Sequence, residues 1–148
     1  MTIGSIYKFS DIDWIVLDLQ CNKALLLSEK ILEYRKFDSS VNIWEQSEIN
    51  KYLNGEFYNK LNDRAKIEGN IFLLSVDEVK KYFKDDTSRI AKHSNKTNIF
   101  AGAPLWWLRS KGLYGFDVAS VSSNGIVASS GASVSAVGGV RPALWLNI

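Results

Sequence analysis

The sequence predicts an α+β fold, and three observations carry that prediction. Strand-forming runs stand at both ends of the chain, a stretch of helical period lies between them, and Trp14, Trp44, Trp106, Trp107 and Trp145 are spread from end to end. Large apolar groups from both termini are therefore expected to meet in one interior, and the 148 residues are read as a single domain. A hydrophobic content of 46% is ample for one core of that size.

Residues 5–9 and 13–19 are rich in β-branched and aromatic side chains, and the apolar run 23–28 follows after the turn Gln20-Cys21-Asn22, which predicts a three-stranded antiparallel start. The period then changes. Ile49, Tyr52 and Leu53 fall at i, i+3 and i+4, Asn54-Gly55 supplies a stop, and Phe57 and Leu61 begin a second stripe, so two helices are expected between 44 and 62. At Ser75-Val76-Asp77-Glu78 the serine can cap a helix while Glu78 reaches back, and Leu74 can staple onto Val79, which predicts a helix over 76–83. The polar stretch 84–104 reads as a loop with one helical turn around 88–92.

From Gly112 onward only Asp117 and Arg141 are charged. Ser123-Asn124-Gly125 between Val121 and Val127 has the chemistry of a type I′ hairpin turn, so strands are expected over 116–122 and 126–130. Gly138-Gly139 reads as a break before a terminal strand, Val140 to Leu146, whose Pro142 requires an edge, an end or a bulge. That strand is expected to lie beside the N-terminal ones.

A net charge of +2 with both signs interspersed offers no domain-wide field for nucleic acid or a membrane, and neither partner is expected. The opening Met1-Thr2-Ile3-Gly4 has no basic-then-apolar leader, so the expected place is the cytoplasm, with phage association or export by another route as the other outcomes. No glycine-rich phosphate loop, HExxH pair or CxxC pair occurs, and Cys21 alone builds neither a disulfide nor a zinc site. Neither cofactor nor metal is expected. His93 reads as a solvated histidine in a polar loop, and Asp11 and Asp13 as turn carboxylates near Asp18. Arg89, Lys92 and Lys96, near Tyr82 and Phe83, are candidates for a phosphate contact offset by Asp85 and Asp86. Arg109 and Arg141 adjoin tryptophan-rich strands and need buried partners, for which Asp18, Glu29 and Glu45 are available. These readings leave no catalytic residue and favour binding over catalysis.

The motifs Trp106-Trp107-Leu108-Arg109-Ser110-Lys111-Gly112, Asn124-Gly125 and Gly138-Gly139-Val140-Arg141-Pro142-Ala143-Leu144-Trp145-Leu146 resemble a bacterial family of uncharacterised domains. The likeness extends upstream through 14–18, 24–29, Trp44-Glu45, 52–57 and 72–75, which is nearly the whole chain. The Gly-Val-Arg-Pro-Ala strand also resembles the ending of C-type-lectin-like folds, including relatives of formylglycine-generating enzymes and the variable proteins of diversity-generating retroelements. The resemblance implies small antiparallel sheets, two or three flanking helices, adjacent termini and a ligand-binding second sheet. It does not carry the oxidase activity, because Cys21 stands alone, nor calcium-dependent sugar binding, because the Glu-Pro-Asn or Gln-Pro-Asp loop is missing.

This chain departs from the family at Lys111, where proline is usual, and between the two arginines, where asparagine is usual. The matching places hold Ser122, Ile126, Ala128, Ser129, Ser130, Ala132, Ser133, Ser135 and Ala136. Asparagine codons altered at their adenines yield serine, isoleucine or alanine, and a tyrosine codon so altered yields Ser120, which suggests adenine-directed diversification. The candidate ligand-binding residues are these ten with Tyr114 and Phe116 as aromatic anchors, on a face spanning 113–137 that takes a macromolecular ligand, protein or glycan. The alternative is a fixed structural or homo-oligomerisation module of a phage-encoded or intracellular complex, whose small Ser, Ala and Gly side chains let layers approach closely.

Overall fold

The structure, a computed structural model, describes residues 1–94 and 105–148. Strands β1 (Ile6–Phe9), β2 (Ile12–Gln20) and β3 (Lys23–Ser28) form the expected antiparallel start. Ser10 and Asp11, at φ 53° and 60°, make the two-residue β1–β2 turn, so the positive-φ pair expected at Asn124-Gly125 is found here in non-glycine residues. Along β3 the alternation sends Ala24 and Leu26 into one hydrophobic cluster and Leu25 and Leu27 into a second, so the strand is buried on both faces.

Strand β10 (Ala143–Asn147) divides its residues between the same clusters, Leu144 and Leu146 facing one and Ala143 the other. It pairs with β3 on one side and β5 (Ile67–Phe72) on the other, in the order β1-β2-β3-β10-β5. The terminal strands thus share a sheet, with β2 and β3 between them, about 14 Å apart at about 4.8 Å per strand. Pro142 stands just ahead of β10, where a missing N–H costs the ladder nothing, and its carbonyl accepts from Ser28 at 2.9 Å.

The second sheet runs β4 (Glu33–Lys36), β9 (Val137–Val140), β6 (Trp106–Lys111), β7 (Asp117–Val121) and β8 (Val127–Ser133) in spatial order. Its ladders are antiparallel except between β6 and β9, where Trp106 opposes Gly139 in a parallel register. Gly138 and Gly139 lie inside β9 and do not break the chain. A Cβ on Gly138 would stand 2.5 Å from both Leu105 and Trp107, and one on Gly139 would stand 2.9 Å from Ile31, so glycine is needed for close packing.

The helical segments differ from expectation in one instructive place. Asn54-Gly55 does not stop a helix. The chain runs through α1 (Glu48–Tyr52), a π-helical stretch over Leu53–Phe57 and α2 (Tyr58–Lys60). The Asn54 amide accepts from the Ile71 amide at 2.7 Å and donates to the Ile71 carbonyl at 2.9 Å, docking the run against β5, while Ile49, Leu53 and Phe57 are buried together. Tertiary contact therefore outweighs the local breaker.

Helix α3 (Val76–Tyr82) carries the predicted capping box: Ser75 Oγ accepts from the Glu78 amide at 3.1 Å, and Glu78 accepts from the Ser75 amide at 2.8 Å. Leu74 and Val79 lie in one buried cluster, as a staple requires. The same Glu78 carboxylate takes a short hydrogen bond from Arg109, whose Nη1 also donates to the Leu73 carbonyl at 2.7 Å. Arg109 thus finds its partner in the capping box and not in Asp18, Glu29 or Glu45. Burial works to raise the Glu78 carboxyl, but Arg109 and the Ser75 amide outweigh it and hold the group below the usual range.

Arg141 is 1% exposed, with its guanidinium 4.8 Å from the Trp106 ring centroid and 5.8 Å from that of Phe83. It donates to the carbonyls of Ser28 and Glu29 at 2.9 and 3.1 Å. Burial pulls its pKa down to about 10, which leaves it charged at neutral pH. The helical turn expected at 88–92 falls slightly earlier, as a 3-10 turn over Thr87–Arg89. Among the described residues no helix is long and apolar enough to cross a membrane.

Candidate recognition surface

The connection from β6 to β7 is where apolar side chains are held outward. Leu113, Tyr114 and Phe116 are 68%, 59% and 57% exposed, and the two rings stack at 5.8 Å between centroids with planes 12° apart. Burying side chains of this size is worth about 1.5–3 kcal/mol each, so a chain that leaves three together in water forgoes a large stabilisation.

The backbone beneath them is pinned. The Gly112 amide donates to the Asp117 carbonyl at 2.8 Å, the Leu113 amide to Ser130 at 2.9 Å, the Asp117 amide to Tyr114 at 3.0 Å, and the Val134 amide to Phe116 at 2.8 Å. Gly112 permits the second contact, because a Cβ there would stand 2.4 Å from the Ser130 carbonyl oxygen. Asn42, buried at 6% exposure, donates from its amide nitrogen to the carbonyls of Tyr114 at 3.1 Å and Asp117 at 2.8 Å.

Asn42 is itself placed by Asp38. That carboxylate accepts from the amides of Ser40, Val41 and Glu48, each at 2.9 Å. Burial works to raise the Asp38 carboxyl, but those three N–H groups and the Lys51 charge prevail and lower it. Neither Asn42 nor Leu113 stood out in the sequence. The turn-rich run Asp38-Ser39-Ser40-Val41-Asn42 marks a loop, but nothing in it points to a partner more than seventy residues away.

At the opposite end of β7 the turn to β8 is built differently. The Gly125 amide donates to the Ser122 carbonyl at 2.9 Å and the Ser122 amide to Ile126 at 2.9 Å. Gly125 alone is left-handed, at φ 80°, so this is a three-residue loop with a glycine bulge and not the expected type I′ turn. Packing against Asp86 requires it, since a Cβ on Gly125 would meet the Asp86 carbonyl oxygen at 1.7 Å. Arg89 is 8% exposed and ties the region together, donating to Asp86 at 2.8 Å, to the Phe83 carbonyl at 3.1 Å and to Gly125 at 3.4 Å. It is a clamp and not an accessible phosphate ligand; of its suggested companions, Lys92 is exposed and Lys96 lies outside the described residues.

The predicted site residues divide accordingly. Tyr114 and Phe116 lie beside the Asp117–Ser133 rung, with half-buried Ala132 and Ser133 and with exposed Ser135 and Ala136 following. Ser129 and Ser130 are exposed on a bulge of β8 that ends at Gly131, whose φ is 87°. Ile126, 52% exposed, and half-buried Ser122 belong to the far turn, separated from the rings by about 13 Å of strand at about 3.3 Å per residue. Ala128 is half-buried opposite Ser120, and Ser120, at 3% exposure, faces the interior and offers no surface.

His93 and Asp18 are drawn into local contacts. His93 Nδ1 lies 3.2 Å from the Ser94 carbonyl, and Asp18 accepts from the Leu19 amide at 2.8 Å. Among the described residues no group of three His, Cys, Asp or Glu side chains is placed to hold a metal.

Fold and surface together define a mixed α+β protein, made mostly of antiparallel sheet with few helices, that presents an apolar corner on its second sheet. The chain matches the family described as a domain of unknown function, DUF6273, over residues 21–68 and 64–148, and it belongs to that family. No curated protein and no solved structure matches it.

Proposed function

We propose that this chain is a non-catalytic binding module whose recognition surface centres on Tyr114 and Phe116. The observation that carries the reading is the stacked, exposed ring pair on a loop whose backbone is already satisfied by buried Asn42 and by β8. A surface held rigid before binding loses little entropy when it binds, and aromatic anchors rimmed by small polar groups are the composition that interfaces favour. Leu113, Ser133, Ser135 and Ala136 form the rim; Ile126 and Ser122 belong to a separate patch, and Ser120 is withdrawn from the surface. The ligand is a macromolecule, protein or glycan.

A C-type-lectin-like arrangement is the finer fold reading. Its support is the shared terminal sheet, the helices flanking it and the second sheet formed largely from the C-terminal part. A variable protein of a diversity-generating retroelement is the finer functional reading. Its support is the codon pattern, together with the exposure of Ile126, Ser129, Ser130, Ser135 and Ala136.

Light scattering on the intact chain and on a Tyr114→Ala/Phe116→Ala variant tests the module. A monomer, or an oligomer that survives the double substitution, fits ligand binding. A dimer that dissociates on substitution transfers the surface to homo-oligomerisation. Sequencing the gene across a population tests the finer reading: variation confined to codons 113–137 and traceable to template adenines is expected, and a uniform segment without a template sinks it.

A further inference from the structure

The aromatic corner is small. A side chain of this class covers about 150–250 Å², so at 59% and 57% exposure Tyr114 and Phe116 together offer about 170–290 Å². Even with Leu113 added, that is well below the ~800 Å² that each side of a stable protein–protein interface buries. The flanking residues do not enlarge it. Ser129, Ser130, Ser135 and Ala136 are exposed but short, and they supply no water-excluding rim of the kind that surrounds a protein hot spot.

Charge and hydrogen-bonding capacity narrow the ligand further. The nearest charges along the chain, Lys111 and Asp117, are opposite in sign, and no other follows until Arg141, so neither an anion nor a cation is selected. Hydroxyls are plentiful. Ser129 and Ser130 are exposed, Tyr114 carries its own, and Ser133 and Ser135 share a single hydrogen bond at 3.0 Å, which leaves one of their two protons free. The rings lie in nearly parallel planes, 12° apart, on a backbone held from beneath by Asn42. An aromatic face is electron-rich, and a pyranose whose hydroxyls are all equatorial presents to it a face of axial C–H bonds, with its hydroxyls directed sideways.

Resting on the binding reading of this corner, we infer that its ligand is a neutral glycan of such sugars, a glucose or N-acetylglucosamine chain of the cellulose or chitin type. The linkage in those chains is equatorial at both ends, so successive C–H faces stay flat. Tyr114 and Phe116 stack on these faces, and Ser133 and Ser135 exchange hydrogen bonds with the sugar hydroxyls.

Cellotetraose and chitotetraose are the probes, titrated into the full chain and followed by NMR on both protein and sugar. The expected result is saturable shifts of the amides at 113–117 and 133–136, upfield ring-current shifts of the sugar C–H protons, and an affinity that holds when salt is raised to about 0.5 M. Phe116→Leu keeps the apolar bulk but removes the ring, and should weaken binding about fivefold, whereas Tyr114→Phe keeps the ring and should weaken it less than about twofold. Both side chains are exposed, so unchanged amides elsewhere will show that the variants fold. No saturable shift by about 10 mM of either saccharide, shifts confined to other surfaces, sugar protons that do not move upfield, or undiminished binding by Phe116→Leu would each overturn the inference. Saccharides that leave the rings unmoved, together with ring-dependent binding of a protein, would assign the corner to a protein partner and leave the binding module standing. A ring-dependent dimer in light scattering would end both.

Discussion

The two connections at the ends of β7, residues 112–116 and 122–126, both lack charged side chains and are held in opposite ways. At residues 112–117 the hydrogen bonds of Asn42, Ser130 and Val134 hold the backbone down so that Leu113, Tyr114 and Phe116 stay in solvent. At residues 122–126 Arg89 and Asp86 pack against one side of the turn and bury Gly125 on the Asp86 backbone, while Ser123, Asn124 and Ile126 stay exposed. Low charge in a segment therefore does not say whether it is core or surface. What decides is whether the neighbouring element brings a cap, as Arg89 does, or a support from below, as Asn42 does.

The contrast breaks most sharply at Gly125. Gly125→Ala places a methyl on the Asp86 carbonyl at a left-handed φ, and a loss of about 3 kcal/mol or more is expected in urea unfolding. A loss below about 1 kcal/mol would mean that the capped end is looser than drawn.

Asn42→Ala removes the two hydrogen bonds under the exposed loop and leaves each carbonyl with its backbone donor alone, Asp117 N–H on Tyr114 and Gly112 N–H on Asp117, which should cost about 1–3 kcal/mol for the two bonds lost. Amide exchange should quicken at 113–117 and stay unchanged at 122–126 if the supports are separate. Acceleration at both ends would show them to be one cooperative unit.

The pH dependence sharpens the same point through Asp38. Its folded pKa lies below the unfolded value of about 3.9, so the unfolded chain binds more protons in the window between the two. The stabilisation is fully present above about pH 4 and is lost as pH falls through the folded pKa. Asp38→Asn should flatten acid unfolding below about pH 4, as read by tryptophan fluorescence, and an unchanged curve would remove Asp38 from the supporting chain.

The smallest effect on stability belongs to the surface itself. Tyr114→Ala/Phe116→Ala should change the unfolding free energy by no more than about 1 kcal/mol, the worth of an exposed ring pair, while abolishing binding at this corner. A large destabilisation would make the rings part of the core and weaken the binding reading.

Much of the fold was legible because it rests on local rules. The strands at both ends follow from apolar and β-forming runs bounded by turn residues, and Ser75 and Glu78 form the capping box that their spacing demands. The misreadings share a different origin. Asn54-Gly55 failed to stop a helix because Ile71 supplied a partner for the Asn54 amide, and Gly138-Gly139 stayed in a strand because Leu105, Trp107 and Ile31 crowd it. Arg109 found Glu78, which local reasoning had already assigned to the cap.

For the candidate site the division is similar. Composition and the two aromatics mark the segment, and the turn residues mark the β7–β8 hairpin, since those are properties of neighbours along the chain. The burial of Ser120, the separation of Ile126 from Tyr114, and the support from Asn42 depend on register and on residues distant in sequence. By itself the sequence determined where strands and the capped helix form, because period and capping act within a few residues. The tertiary structure alone decided which apolar side chains stay outside, because that depends on which backbone groups arrive from elsewhere to satisfy a loop or to cover it.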